Sequence, residues 1–562
     1  MTQTLAAVEE QPAQSVTQNP ARIAIIGGGV TGGVVLTEAV DHYIERLKDN
    51  TNLPPLRIDF FEAGGQNGYG TSYDLETVVF RLNQPAQTMS LHSDRSGHFI
   101  EWLKKREDAK NISEVAAARE KVRGWKAEGL SEMQIAHNHR TEYLLARNWT
   151  QHDFVPRALF RHYLLEQYEA TIHRSREVNL ILDRQAITIN TINAFVDQLK
   201  QTNSGEIVIG VKIRGEERSS TLTDSVVIAT GHHKNGILKE LRPCPAYAET
   251  PIPDMHKIES VLAANAGSPH PVFILGTSQS MLDIVGGLDA AGYKGSIVAA
   301  SSRGIEPWPY DPAKHIPLRT DYPLQHVTEE KILAIFAEHG TDVRKAIGKF
   351  CKMFGHELQA PEAREMGPGH VISTFLAQKD KMRAMMACCP GFYEECLSLV
   401  DQFDTNHTFP ERFETYLRYK ESGQLKIVAA RVDTAKTVAR SDGHFDVALS
   451  SGTIVASAFF NCGSLHRATF NQKVPGEPIS VFCPLGQRAY EAGLVEGDSK
   501  TKMLIPHSVL PAGKVETAGP ARGGSWGVPY TVADCHASAH KVVDYAIEMA
   551  QKIQQAAPAV EL

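Results

Sequence analysis

Three glycines near the N-terminus have the spacing of a phosphate-binding turn. Gly27, Gly29 and Gly32 follow the apolar run Ile23–Ile26 directly, and a helical pattern begins after them. In such a turn the first glycine bends the chain, the second leaves backbone amides open to a diphosphate, and the third lets the helix and strand pack closely. The strand before and the helix after favour a dinucleotide site over a purely structural glycine turn.

An acidic residue, Glu62, ends the next apolar segment, LRIDFFE. An acid at this place accepts hydrogen bonds from a ribose, usually about 20 residues after the turn. Here the distance along the chain is longer, and a helix reaching Leu47 with a loop at Pro54–Pro55 accounts for it. The sequence therefore predicts a βαβ unit whose second strand presents Glu62 to the nucleotide.

A second turn of the same plan follows the apolar run Val272–Leu275. It contains Gly276, Ser278, Gln279 and Ser280, so a serine replaces the middle glycine. Small residues keep the backbone accessible, and the two hydroxyls could donate hydrogen bonds to phosphate. We therefore expect a second dinucleotide at this turn.

The strand after the second turn ends in Ser301, Ser302 and Arg303, where the first unit has an acid. An arginine with neighbouring hydroxyls at this place accommodates the 2′-phosphate of NADP. This pattern favours NADPH over NADH, with a solvated surface role for Arg303 as the alternative. Two further predicted strands end at Thr230-Gly231 and Cys462-Gly463. A glycine at such an end lets the chain pass close to a nucleotide, and the alternative is an ordinary strand terminator.

The whole chain must supply the elements that position these turns. Its 562 residues allow three or four domain-sized units. The predicted fold class is α/β, with two Rossmann-like domains: a parallel-sheet domain around the first turn is interrupted by an NADPH domain that carries a helical insertion. The predicted boundaries are a disordered tail at 1–20, the first part of the first-turn domain at 21–245, the NADPH domain at 246–424 and the second part of the first-turn domain at 425–562.

Composition excludes several other classes. The net charge of −7 argues against nucleic-acid binding. The first 20 residues have no signal-peptide pattern, and no apolar run is long enough to span a membrane. Eight scattered cysteines without a CxxC pair or a His/Cys cluster at metal spacing indicate a cytoplasmic protein with no metal site.

In this order along the chain, the segments GGGVTG, NGYGTSY, RLNQPAQTMSLHSD, FVPRALFRHYL, VVIATGH and ILGTSQSMLD resemble the bacterial FAD-NAD(P)-binding family. That family is related to flavin-dependent N-hydroxylating monooxygenases, including aspartate N-monooxygenases that form nitrosuccinate. The resemblance runs from about Arg22 to Asp283, with weaker echoes at NCGS and AGPARGGSWG. The GTSQS turn also resembles the GxGQS turn of ornithine and lysine N-hydroxylases.

The resemblance implies FAD at the first turn, NADPH at the second, and further site residues. A loop along the flavin would contain Asn83, Met89, Ser90 and His92, and a late segment would return to the flavin ring at Gly519, Pro520, Arg522 and Trp526. The predicted catalytic residues are His92, Arg157 and Arg522. Arg157 could bind a substrate carboxylate in a bidentate pair or form a salt bridge within the scaffold.

The implied activity is an FAD-dependent, NADPH-consuming monooxygenase that uses O2 to hydroxylate the amine of an amino acid, with aspartate as the best single guess. A dry pocket over the flavin would protect the reaction from water. The alternatives are a flavin dehydrogenase or oxidase without oxygen insertion, and a dinucleotide-binding protein without turnover. The partners are a small-molecule substrate and O2, and a homo-oligomer is left open.

The role of Arg303 is testable by kinetics. If its guanidinium pairs with the 2′-phosphate, Arg303→Ala should raise KM for NADPH far more than KM for NADH, because only the former carries that phosphate. Steady-state oxidation of both nucleotides measures this ratio. An equal change in the two constants would remove the proposed role.

Overall fold

The computed structural model describes most of the chain: residues 18–92, 95, 97–213, 216–231, 237–249, 255–264, 266–309, 322–339, 342–366, 368–378, 392, 396, 399–400, 407–463, 470–471, 480–481, 484–498, 503–518 and 528–556. It forms two compact units, each made from separate stretches. The first unit comprises Met1–Thr71, Leu164–His232 and Ala468–Leu562, and the second comprises Ser72–Tyr163 and His233–Arg467.

Fifteen helices lie in the described residues. They are α1 (Val30–Asp49), α2 (His98–Asp108), α3 (Ile112–Ala127), α4 (Glu132–Asn138), α5 (Arg140–Ala146), α6 (Arg157–Ile181), α7 (Met255–Ala263), α8 (Gln279–Ala290), α9 (Glu329–His339), α10 (Val343–Gln359), α11 (Pro361–Met366), α12 (Pro368–Ala377), α13 (Pro410–Glu421), α14 (Pro484–Glu491) and α15 (Val528–Ala556). None of these described helices is both long and apolar enough to cross a membrane.

The described strands number twenty-two. They are β1 (Ala21–Ile26), β2 (Leu56–Phe61), β3 (Ile187–Ile192), β4 (Phe195–Gln201), β5 (Ile207–Ile213), β6 (Glu216–Thr223), β7 (Ser225–Ile228), β8 (Tyr247–Glu249), β9 (Val272–Leu275), β10 (Ile297–Ser301), β11 (Trp308–Pro309), β12 (His407–Thr408), β13 (Leu425–Ala429), β14 (Val438–Ala439), β15 (Phe445–Leu449), β16 (Gly452–Ala456), β17 (Ala458–Asn461), β18 (Phe470–Asn471), β19 (Ser480–Val481), β20 (Val495–Asp498), β21 (Met503–Pro506) and β22 (Val515–Thr517).

The first unit is built on a five-stranded parallel sheet in the order β22-β7-β1-β2-β3. Its central strands are short apolar runs because helices cover both faces of a parallel sheet. Every side chain of β7 is buried, as are five of the six in β1. An antiparallel three-stranded sheet, β4-β5-β6, interrupts the chain between β3 and β7.

The second unit repeats this plan. Its parallel sheet has the order β13-β10-β9-β17-β8. The strand before the second turn, β9, lies between β10 and β17, just as β1 lies between β2 and β7. A second antiparallel sheet, β14-β15-β16, interrupts the chain between β13 and β17. The α/β class and the two Rossmann-like sheets predicted from the sequence are confirmed.

The unit boundaries differ from the predicted ones. Strands β13 and β17 were placed in the second part of the first-turn domain at 425–562, but they pair with β10 and β9 of the second sheet. The stretch Ser72–Tyr163, predicted within the first part of that domain, also belongs to the second unit. An apolar run shows that a parallel strand is buried, but it does not show which neighbour it pairs with.

The predicted helical insertion lies within the second unit. Three prolines of this region, Pro361, Pro368 and Pro410, begin helices. The first turn of a helix tolerates proline because its amide hydrogen would lack a partner there. A fourth, Pro390, lies outside the described residues. The helices α9–α12 surround an apolar core that contains Phe350, Phe354 and Phe375.

Phe459 of β17 tests the assignment of this strand to the second sheet. It is fully buried and contacts the rings of Phe273, Tyr247 and Phe445. We expect Phe459→Ala to lower the free energy of unfolding by about 3–5 kcal/mol, because it leaves a cavity in a packed core.

Denaturant unfolding with hydrogen exchange of the β9 and β10 amides measures this effect. Val438→Ala, at a half-exposed strand position of the same unit, is the control and should change stability little. Unchanged protection of the β9 amides in Phe459→Ala would contradict the assignment.

Candidate dinucleotide-binding sites

Gly27 makes the first turn possible. Its φ of +108° lies in the region that favours glycine. Its amide donates to the carbonyl of Phe61 at 3.0 Å, and a Cβ at this position would lie 2.2 Å from the carbonyl oxygen of Ala229. The turn is therefore pressed between the ends of β2 and β7, and no other residue fits there.

Gly29 is the N-cap of helix α1. Among the described residues no side chain caps this end, and the first turn of the helix contains no acid. A Cβ on Gly32 would lie 1.9 Å from the carbonyl oxygen of Gly27, so the helix can start this close to the strand only with glycine. Exposed amides and the positive end of the helix dipole bind anions. These residues fit the diphosphate of a dinucleotide.

Glu62 lies beside this turn and is half-buried. Its carboxylate accepts the amide of Gly28 at 2.7 Å and the amide of Gly64 at 2.9 Å. The sequence did not predict this anchoring role. Each carboxylate oxygen has a second lone pair and can accept a further hydrogen bond. Hydrogen bonds from a ribose to Glu62 therefore stay a prediction.

A glycine loop packs against the turn, and the sequence reasoning gave it no role in the site. The amide of Gly68 donates to the carbonyl of Gly28 at 2.6 Å. A Cβ on Gly70 would lie 2.9 Å from the Cα of Gly29. Both loop glycines have positive φ, +84° and +66°. The segment NGYG was the sequence signal that could have revealed this loop. Two glycines two residues apart after a strand indicate a close contact between backbones.

The strand end Thr230-Gly231 lies at the same edge of the first sheet. The amide of Ala229 donates to the carbonyl of Ile26 at 2.8 Å, which continues the pairing of β1 with β7. Gly231 then turns the chain with a φ of +71°. Parallel strands meet ligands at their carboxyl ends, so this position agrees with the predicted role of these two residues.

The second turn has nearly the same geometry as the first. Gly276 has a φ of +107°, and its amide donates to the carbonyl of Ala300 at 2.7 Å. A Cβ here would lie 2.9 Å from the carbonyl oxygen of Cys462. The end of β10 and the end of β17 therefore hold Gly276 as the ends of β2 and β7 hold Gly27.

The serine that replaces the middle glycine does not disturb this turn. Ser278 has a φ of −104° and a ψ of −156°, and Gly29 has −71° and −165°. Both are extended conformations that any residue adopts. Ser278 is the N-cap of α8, which has no side-chain cap and no acid in its first turn. Ser280 follows in that turn, and the binding of a nucleotide phosphate at this helix start stays a prediction.

Ser301 occupies the place of Glu62 in the second unit. Its hydroxyl accepts the amide of Gly304 at 2.9 Å and lies 2.8 Å from the hydroxyl of Thr277. Ser302 is exposed and Arg303 is half-buried. Burial raises the pKa of Cys351, and the nearby guanidinium of Arg303 opposes that rise. Binding of a 2′-phosphate by Ser302 and Arg303 stays a prediction.

Arg157 is paired within the scaffold. Its guanidinium donates to Asp283 at 3.0 Å, to the carbonyl of Arg81 at 2.9 Å and to Asn83 at 3.3 Å. Arg157 and Asp283 are both buried. Of the two predicted roles the structure favours the salt bridge, because a substrate carboxylate would have to compete with this buried partner.

Arg412 shares the same carboxylate, and sequence reasoning missed it. It donates to the second oxygen of Asp283 at 2.6 Å and to the carbonyl of Gln279 at 2.5 Å. Burial lowers the pKa of Arg412 to about 10, and Asp283 opposes that shift. Gln279, predicted to bind NADPH, is thus held from α13. No sequence spacing links Arg412 to the turn, because 133 residues separate it from Gln279.

Gly463, predicted to bind FAD, lies in the second unit, and its role in binding FAD stays a prediction. Its amide donates to the side-chain oxygen of Asn461 at 3.1 Å, and a Cβ on Gly463 would lie 3.1 Å from the side chain of Leu275, just before Gly276. These contacts are at the second turn, because β17 pairs with β9. Its neighbour Cys462 is half-buried, and desolvation with the nearby Asp283 raises the pKa of this thiol far above its usual value. A protonated thiol of this kind is not a nucleophile.

The predicted flavin loop lies in the second unit. Asn83 is exposed, while Met89 and Ser90 are buried. The hydroxyl of Ser90 donates to the carbonyl of Arg95 at 2.6 Å, so it closes a turn of its own chain. His92 packs edge-on against His98. Burial lowers the pKa of His98 to about 4, and the nearby His92 and Arg95 add to this shift. A catalytic role for His92 stays a prediction.

The predicted late segment, with Gly519, Pro520, Arg522 and Trp526, lies outside the described residues.

Comparison with known proteins agrees with this geometry at the level of the binding domain. Residues 24–233 match the family model described as FAD-NAD(P)-binding. The prediction of FAD and a nicotinamide nucleotide as cofactors is confirmed by this match. An oxidoreductase is the class of protein that such cofactors and two dinucleotide-type turns indicate. No curated protein sequence matches the chain.

Several enzymes of known structure have a similar chain trace. The reduced form of ornithine hydroxylase from Pseudomonas aeruginosa is 13% identical, with a TM-score of 0.48, and the alignment covers 95% of this chain and 100% of that one. L-Lysine 6-monooxygenase from Pseudomonas syringae is 15% identical, with a TM-score of 0.45 and coverage of 94% and 99%. Bacillithiol disulfide reductase from Bacillus cereus is 10% identical, with a TM-score of 0.41 and coverage of 94% and 100%.

A bulky side chain in the first turn should give a colourless protein. We expect Gly29→Val to lose bound FAD, because the branched side chain would meet the loop at Gly70, whose Cα lies 3.6 Å from the position of a Cβ on Gly29, and would cover the amides of α1. Absorbance of the purified protein near the flavin bands measures retention.

Gly124→Val is the matched control, since a Cβ there meets nothing within 4 Å. It should stay as yellow as the unaltered protein. Yellow Gly29→Val protein would refute the site.

Proposed function

We propose that this protein is an FAD-dependent, NADPH-consuming monooxygenase that hydroxylates the amine of an amino acid in the cytoplasm. The observation that carries the proposal is the repeated turn. Gly27 and Gly276 have the same backbone conformation and the same two strand contacts, and each precedes an uncapped helix. One chain with two such sites suits a reaction in which a nicotinamide nucleotide reduces a flavin.

The assignment of NADPH to the second turn rests on the strand ends. Glu62 directly follows β2 and disfavours a phosphate on the neighbouring ribose, because like charges repel. The second unit has Ser301 and Arg303 instead. A cation and hydroxyls suit a 2′-phosphate, so the two units differ at the one place that distinguishes NADPH from NADH.

The choice of N-hydroxylation and of aspartate rests on the resemblance of the motifs. FAD would supply the oxygen chemistry when bound. The protein would hold the substrate carboxylates and keep the amine unprotonated, since only the neutral amine is a nucleophile. With Arg157 paired to Asp283, Arg522 is the remaining predicted arginine for a substrate carboxylate.

Turnover assays with matched compounds test the proposal. The purified yellow protein is given NADPH, O2 and aspartate, or succinate as a control that has both carboxylates but no amine. We expect aspartate alone to stimulate NADPH consumption and to gain one oxygen atom on nitrogen, as measured by mass spectrometry. Lysine and ornithine complete the panel.

The other outcomes separate the alternatives. Flavin reduction by substrate in the absence of NADPH would identify a dehydrogenase or oxidase. Equal NADPH consumption with every compound, accompanied only by peroxide, would contradict a coupled monooxygenase for these substrates. A yellow protein with no stimulated turnover would favour a binding protein without catalysis.

A further inference from the structure

Three potential metal ligands meet between two helices of the first unit. Glu38 lies on α1, and His536 and His540 lie on α15. One oxygen of the carboxylate and one nitrogen of each imidazole all lie within 4.8 Å of one another. Nδ1 of His536 is 2.7 Å from Oε2 of Glu38, and the two imidazole rings are 4.0 Å apart.

The helical spacing of the ligands explains this convergence. His536 and His540 are four residues apart, so they project from the same face of α15. On α1, Glu38 and His42 have the same spacing, and the ring of His42 stacks on that of His540 at 3.9 Å. Each helix therefore presents an adjacent pair of ligand-type side chains to the other.

Further charged and imidazole groups surround the three side chains. On α15, Asp544 lies 3.0 Å from Nε2 of His42 and 3.6 Å from the guanidinium of Arg46, both on α1. These groups continue the polar contact of the two helices beyond the cluster.

We propose that Glu38, His536 and His540 form a binding site for a divalent transition metal of the zinc class. Two imidazoles and one carboxylate are a preferred ligand set for such ions. A tetrahedral zinc with bonds of about 2.0–2.2 Å needs ligand atoms about 3.4 Å apart, and the three atoms here lie within 4.8 Å of one another. Three protein ligands leave one position for water.

The bound metal joins α15 to α1. The two helices run in the same direction, since His536 contacts Glu38 and Asp544 contacts His42 and Arg46 further along. Cys535 donates from its thiol to the carbonyl of Thr31 in the first turn of α1. The site therefore fixes the helix that opens at the first glycine turn. The sequence alone indicates no metal site, because Glu38 and His536 are 498 residues apart along the chain.

Calorimetric titration of the full-length purified protein with zinc tests the site, after treatment with a chelator. We expect one zinc per chain. His536→Gln and His540→Gln should each weaken binding by at least about 10-fold, since even outer partners of metal ligands cost 10–100-fold. Glu38→Gln should weaken it as well, because the anionic ligand is lost.

His173→Gln is the matched control. His173 is an exposed histidine of the same unit that pairs with Glu177 one helical turn away, and no third ligand-type side chain joins them among the residues that the structure describes. Its affinity for zinc should equal that of the unaltered protein. Absence of stoichiometric binding, or equal binding by the two α15 variants and the control, would overturn the proposal.

A spectroscopic measurement avoids dependence on variants that fail to fold. X-ray absorption at the zinc edge of the unaltered protein should show two imidazoles and only nitrogen or oxygen ligands. Sulfur in the first coordination shell would overturn the assignment. Thermal unfolding should shift to higher temperature with zinc for the unaltered protein and for His173→Gln, and should not shift for His540→Gln.

Discussion

The contact of Gly27 with the carbonyl of Ala229 is the constraint on which the first unit depends. Any side chain at Gly27 would overlap that oxygen, and any side chain at Gly32 would overlap the carbonyl of Gly27. A residue other than glycine would also add about 1–2 kcal/mol of strain in this backbone conformation. These contacts bring the helix start to the edge of the sheet, where its amides face outward.

The same constraint operates at Gly276, where different residues supply the neighbouring strand ends. Cys462 takes the place of Ala229, and Ala300 takes the place of Phe61. The middle position of the first turn packs against the glycine loop, since a Cβ on Gly29 would lie 3.6 Å from the Cα of Gly70. Ser278 has a similar extended backbone and carries a side chain. The backbone angles therefore accept a side chain at this position, and a large one at Gly29 would meet the loop.

Buried charge organises the second unit around its turn. Asp283 lies on α8 between Arg157 of α6 and Arg412 of α13. Removing one member of such a group leaves an uncompensated charge and typically costs about 3–5 kcal/mol. The arrangement therefore holds three helices together at the start of α8. In the first unit, Glu38 and the histidines of α15 join two helices in a more exposed and more polar way.

The sequence by itself determined the two turns, their flanking strands and the α/β class, because a tight turn needs glycine at fixed positions and a parallel strand needs a short apolar run. It also placed Glu62 and Ser301 at their strand ends. Only the tertiary structure decided that β13 and β17 belong to the second sheet, that Asp283 takes Arg157 and Arg412 as partners, and that Glu38 meets His536. These decisions depend on pairing between residues far apart in the chain, and local spacing carries no record of which distant carbonyl, charge or imidazole will be the neighbour.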